Sequence, residues 1–138
     1  MAEEPEDPRR LYAQFEFVQR ELGRVENRLE AIQDALVEAN QAASTLRGLS
    51  ESAGREALVP IGAGVHVRAT LATDAVVRPI GAGYATDGSI EDAQAQLQAR
   101  AEALQRSFHD ASAEAERLAT TAAAINERLS TLSNADMV

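Results

Sequence analysis

The sequence predicts a mainly α protein with a small β portion: a long antiparallel two-helix coiled coil whose helices are joined by two central β-hairpins. Three observations lead there. Apolar residues step in alternating fours and threes along both outer parts of the chain. The centre changes to a period of two and carries Pro-Ile-Gly-Ala-Gly twice, at 60–64 and 79–83. Of 138 residues 45% are apolar, yet only two are Tyr, three Phe and none Trp, so Ala, Leu and Val supply the apolar surface. Such a composition suits long helices better than an aromatic-rich globular core.

The first helix is expected over 8–53. Asp7 supplies an N-cap and Pro8 a pre-set first helical residue. From Leu11 the seam runs through Phe15, Val18, Leu22, Val25, Leu29, Ile32, Leu36, Ala39, Ala43 and Leu46. Gly48 and Gly54 then loosen and end the helix.

Between the helices, 57–86 reads as two hairpins. Val65, Val67, Ala69 and Leu71 alternate with His66, Arg68 and Thr70, as in a half-buried strand. Leu58-Val59-Pro60-Ile61 precedes it across Gly62-Ala63-Gly64, whose glycines allow positive φ in a tight loop. Val76 to Ile80, Gly81-Ala82-Gly83 and Tyr84-Ala85-Thr86 repeat the unit. An isolated hairpin is marginal in water, and the helical seams leave nothing to cover these strands. Pro60 and Pro79 fit edge positions, and exposed apolar edges seek partners. The centre is therefore expected to be an oligomerisation module.

The second helix is expected over 89–134, opened by a capping-box arrangement of Ser89 with Asp92. Its seam runs from Leu97 through Ala101, Leu104, Phe108, Ala111, Ala115, Leu118, Ala122, Ile125, Leu129 and Leu132. Each helix has about 43 residues, roughly 65 Å at ~1.5 Å per residue. Equal helices flanking a compact centre can fold back antiparallel, and small Ala residues in one seam admit the larger side chains of the other. One face of a globular bundle is the alternative, although bundles show a broader stripe. All of 1–138 is read as a single domain.

Net charge is −9 and all thirteen basic residues are Arg. Such a surface repels nucleic acid and anionic lipid, so neither is an expected partner. The absence of Lys fits a GC-rich genome or adaptation to high salt. With no Cys there is no thiolate nucleophile and no Cys-based metal site. His66 and His109 do not converge with carboxylates at ligand spacing, so no metal is expected. The Gly-Ala-Gly loops lack both dinucleotide and P-loop patterns, so no cofactor is expected either. No nucleophile constellation can be argued, and an enzyme is not expected. The acidic MAEEPEDPRR start and the lack of any ~18-residue apolar run give a cytoplasmic expectation.

Tyr12, Phe15 and Phe17 place three of the five aromatics within six residues. Phe15 is on the seam, whereas Phe17 is about 200° away round the helix and Tyr12 is also off it. Beside Leu11, and with Leu129, Leu132, Met137 and Val138 from the other helix, they make a candidate apolar tip able to hold many partners weakly. An aromatic pair that caps a fraying end is the alternative.

A long helix, a doubled hairpin reading LVPIGAGVHVRATL and VVRPIGAGYATDGSIEDA, and a matching long helix together resemble the prefoldin family of chaperones. Two hairpins mark the α-type subunits of that family, and the likeness is to the archaeal type. The resemblance implies that Leu58, Val59, Ile61, Val65, Val67, Leu71, Val76, Ile80 and Tyr84 build an oligomeric β-barrel platform. It implies a heterohexamer of this chain with prefoldin beta subunits, two α with four β. It also implies coiled-coil tips that hold non-native polypeptides and pass them to a group II chaperonin without ATP. A prefoldin-like homo-oligomer or filament with a structural role, or a coiled-coil tether with one defined partner, would use the same hairpins and helices.

Overall fold

The computed structural model describes residues 7–51, 54–72 and 76–136. In chain order they form helix α1 (Pro8–Ser50), strands β1 (Glu56–Gly62), β2 (Val65–Thr70), β3 (Val76–Gly81) and β4 (Tyr84–Gly88), and helix α2 (Ile90–Asp136). The chain divides into two compact units. One joins the chain up to Asp34 with the chain from Gln105 onward, and the other is Ala35–Leu104.

Helix ends follow from local chemistry. Asp7 Oδ1 accepts the N–H of Arg9 at 3.0 Å, and its carbonyl accepts the N–H groups of Arg10 and Leu11. These bonds satisfy donors that have no partner within the first turn. At the other end the Ser50 hydroxyl donates to the Arg47 carbonyl at 2.8 Å, and the Glu51 N–H to that of Gly48. The helix stops at Ser50, short of the expected residue 53, because these tighter bonds consume the last carbonyls; Ser52 and Ala53 lie outside the described residues. For α2, Ser89 Oγ accepts the Asp92 N–H at 3.0 Å.

In the first unit Leu11, Val25 and Ile32 of α1 and Ala111 and Ala122 of α2 are buried. The remaining seam positions there, Phe15 and Phe108 among them, are half-buried. Arg28 and Glu114 form an ion pair between the helices at 3.6 Å, solvent-exposed and hence worth little to stability. Val25 is 1% exposed, the most deeply buried of the large side chains. No polar side chain is buried among the described residues, so specificity comes from the shapes along the seam.

In the second unit Ala39, Ile90 and Ala93 are buried. Ile90 lies one heptad before Leu97, so the α2 seam begins at the first residue of the helix, and Ala93 is buried one residue before the strict seam position Gln94. Ala35, Ala42 and Leu49 are half-buried beside the seam of α1 at heptad spacing, and the apolar stripe there is wider than the strict seam.

The strands pair only as β1 with β2 and β3 with β4, two separate antiparallel hairpins. Each has a two-residue loop, Ala63-Gly64 and Ala82-Gly83, with positive φ at both positions; this is the twist that matches the strands on either side. Ala63 (φ 51°) and Ala82 (φ 54°) hold a conformation that costs an L-residue roughly 1–2 kcal/mol. Pairing slips by one residue between Pro60 and Gly62 and between Pro79 and Gly81, so Ile61 and Ile80 are the extra residues of β-bulges. One expectation needs correction: β2 was to be half-buried, but of its residues only Ala69 is, and Leu71 lies beyond the strand's end. Leu58, Val59, Ile61, Val65 and Val67 of this hairpin are all left exposed.

Val25→Ala is expected to lower unfolding free energy by about 2 kcal/mol through the cavity it leaves. Val37→Ala, the same chemistry at a position 53% exposed, is expected to change it by less than about 0.5 kcal/mol. Urea titrations followed by circular dichroism compare the two.

Candidate functional site

Among the described residues, exposed large apolar side chains gather in two places. The larger is on the hairpins. In β1–β2 the pairs Ala57↔Ala69 and Val59↔Val67, with Val65 two residues from Val67, share one face by the alternation of side chains along a strand. Leu58 is on the opposite face, paired with Arg68. Leu58, Val59, Ile61, Val65 and Val67 are all exposed, Ile61 to 64%. The ladder is prolonged past the strand ends by Gly54 N–H to Leu71 carbonyl and Leu71 N–H to Arg55 carbonyl, which holds Leu71 half-buried at the base.

The β3–β4 hairpin is built differently. Val76, Arg78, Thr86 and Gly88 share a face through the pairs Val76↔Gly88 and Arg78↔Thr86, and all four are half-buried. Arg78 Nη1 donates to Gln96 Oε1 of α2 at 2.8 Å, while Gln96 Nε2 donates to the Pro79 carbonyl at 3.0 Å. One amide thus grips both a side chain and the backbone of β3. Gly88 belongs to the same arrangement, since a Cβ there would sit 3.0 Å from Arg78 Nε. Val76 is therefore on the tethered face, whereas Ile80 and Tyr84 are exposed, Tyr84 to 72%.

Val77 is 71% exposed, although the resemblance singled out Val76 and Ile80 of this strand and not Val77. Arg78, Gly88 and Gln96 were missed as well. Gln96 reads as one more polar residue of a helix, and only folding brings it to a strand about seventeen positions away.

The second surface lies where α1 begins and α2 ends, within the first unit. Tyr12 and Phe17 are both 57% exposed. Leu11 is buried and serves the seam, and Phe15, Leu129 and Leu132 are half-buried. Met137 and Val138 lie outside the described residues. Among the described residues no group of His, Asp and Glu is placed to hold a metal ion, and no helix is long and apolar enough to cross a membrane. His66 turns back on its own loop, with Nδ1 3.2 Å from the Gly64 carbonyl.

Two extended helices, two bulged hairpins and this distribution of exposed apolar residues have a counterpart in one protein family. Residues 18–135 match Prefoldin, described as prefoldin subunit. The chain belongs to the prefoldin family. A prefoldin subunit alpha from Methanosarcina mazei is 33% identical to it over 109 residues, which cover 75% of this chain and 77% of the relative. The cryo-EM structure of filamentous PFD from Methanocaldococcus jannaschii superposes with a TM-score of 0.52, covering 82% of this chain and 89% of that one. At 22% identity that likeness shows a shared fold. Prefoldin is a family of chaperone subunits that work as assemblies with other prefoldin subunits.

In this prefoldin chain, Gln96→Ala leaves Arg78 and the Pro79 carbonyl without their shared partner. Hydrogen exchange of the β3–β4 amides is expected to speed up by about tenfold, the equivalent of ~1.4 kcal/mol of local stability. Amides of β1–β2 are expected to keep their rates.

Proposed function

We propose that this prefoldin chain is an ATP-independent holdase subunit of the α type. It joins β-type prefoldin subunits through its two hairpins, two copies with four partners, and the combined strands close a β-barrel platform. Exposed apolar residues on hairpins with open edges support this reading. The observation that carries the capture role is the exposure of Tyr12 and Phe17 next to a seam that buries Leu11, Val25 and Ile32. Large aromatic side chains left in water beside a filled seam offer apolar contact without a defined pocket. Such contact suits non-native polypeptides, which expose apolar segments of no fixed sequence.

Capture at one such patch is weak, and several patches on one assembly raise the effective concentration and hence the avidity. No chemical step is required, so a client held this way can be passed on, here to a group II chaperonin in the cytoplasm. A net charge of −9 keeps the assembly soluble when apolar surface is exposed. A homo-oligomer or filament is the second reading, favoured by the likeness to the filamentous PFD structure.

Native mass spectrometry over a concentration series, for the chain alone and mixed with an archaeal β-type subunit, separates the two. A closed hexamer with two copies of this chain is expected; an open series of self-assembled masses would establish the filament. With Tyr12→Ser and Phe17→Ser combined, that hexamer is expected to form unchanged. The concentration needed to suppress aggregation of a chemically unfolded protein is expected to rise about tenfold. Unaltered suppression would remove these residues from client capture.

A further inference from the structure

The second unit contains a pocket of about 650 Å³ between the β3–β4 hairpin and the helices. Its walls are apolar: Ala42 and Leu46 from α1, Ala93 and Leu97 from α2, and Val76 from β3. Three charged residues line it as well, Glu38, Arg78 and Arg100. Among the described residues Glu38 makes no ion pair, and neither arginine has a carboxylate within 4 Å. Arg78 is half-buried, and its one side-chain partner is the neutral amide of Gln96; its Nε is buried without any hydrogen-bond partner. An N–H donor withdrawn from water and left without an acceptor is costly. In a chain of net charge −9, two unpaired arginines against one carboxylate are a local excess of positive charge.

We propose that this pocket receives a segment of a β-type prefoldin subunit that presents an apolar side chain beside a carboxylate. The apolar group fills the space between Ala42, Leu46 and Leu97, and the carboxylate accepts N–H donors from Arg78 and Arg100. The occupant follows from two features. The pocket adjoins β3, whose exposed Val77 and Ile80 belong to the apolar hairpin surface, so a subunit seated on that hairpin reaches it without a break. The unmatched charge selects an anion, and a second copy of this acidic chain would bring wider repulsion with it. Apolar contact between hairpins drives association in this arrangement, whereas the arginine pocket distinguishes the β-type partner and fixes its register.

The inference rests on the hairpin-mediated assembly proposed above, and the test separates the two. Arg100 is exposed and unpaired among the described residues, so Arg100→Glu is expected to leave the fold intact; Ala42→Phe fills the pocket from the α1 side and removes neither partner of the Arg78–Gln96 bond. Each is mixed with an archaeal β-type subunit and followed by native mass spectrometry, with thermal unfolding of the chain alone as the control for folding. Arg100→Glu and Ala42→Phe are expected to raise the concentration for half-assembly about tenfold, and Arg100→Lys to restore wild-type behaviour by keeping the charge. Ile80→Asp, on the exposed hairpin surface, is expected to abolish assembly. Wild-type assembly by Arg100→Glu and Ala42→Phe, with failure of Ile80→Asp, overturns the pocket and leaves the hairpin reading standing. Unimpaired assembly by Ile80→Asp overturns the hairpin reading and the pocket with it. Weakened self-association of Arg100→Glu alone, with normal assembly in the mixture, assigns the pocket to a second copy and also overturns the proposal.

Discussion

A helix with one narrow apolar stripe can bury that stripe once, and the four-three seams of α1 and α2 are spent on each other's company within each unit. Everything else in the chain follows from this constraint. The stripe supplies a core of small volume, in which Ala39, Ala111 and Ala122 count as buried residues alongside Val25 and Ile32. Among the described strand residues only Ala57, Ala69, Val76, Arg78, Thr86 and Gly88 are even half-buried. In a globular domain of this length, a second layer would cover a sheet; here both hairpins remain open to solvent on at least one face.

The two hairpins answer that exposure differently. Both share the loop geometry and the bulge at the residue after Pro, so the repeated pentapeptide encodes one local conformation twice. They diverge in what they touch. Gln96 ties β3 to α2 through Arg78 and the Pro79 carbonyl, whereas the first hairpin is secured by backbone bonds at its own base. A tethered hairpin offers a surface of set orientation, and association then loses less conformational entropy. In the assembly proposed above, the apolar residues that remain exposed, Ile61, Ile80 and Tyr84 among them, are surface whose burial would stabilise the assembly rather than the lone chain.

The same economy bears on function. Tyr12 and Phe17 contribute little to the seam, so their retention in water has no evident structural reward for this chain. Aromatic exposure of that kind is useful where contact must be adaptable, and it is tolerable where strong net charge opposes aggregation. The holdase role proposed above meets both conditions: it calls for apolar surface without a shaped cleft, and for a chain that stays dispersed while presenting it.

Seam positions, both helix starts and both hairpin loops were legible in the sequence, because each depends on short-range periodicity or on one capping or turn residue. The off-seam placement of Tyr12 and Phe17 was legible for the same reason: rotation per residue along a helix is constant. The burial of Leu11 and Ala93, the seam's extension to Ile90, and the half-burial of Val76 were settled by packing. Arg78, Gly88 and Gln96 were invisible in one dimension, since a polar helix residue, a strand arginine and a glycine after a strand acquire meaning only when folding brings them together. Local geometry in this protein is written in spacing, and spacing survives in the sequence; the tether and the charged pocket depend on residues distant along the chain, and their pairing exists only in the tertiary structure.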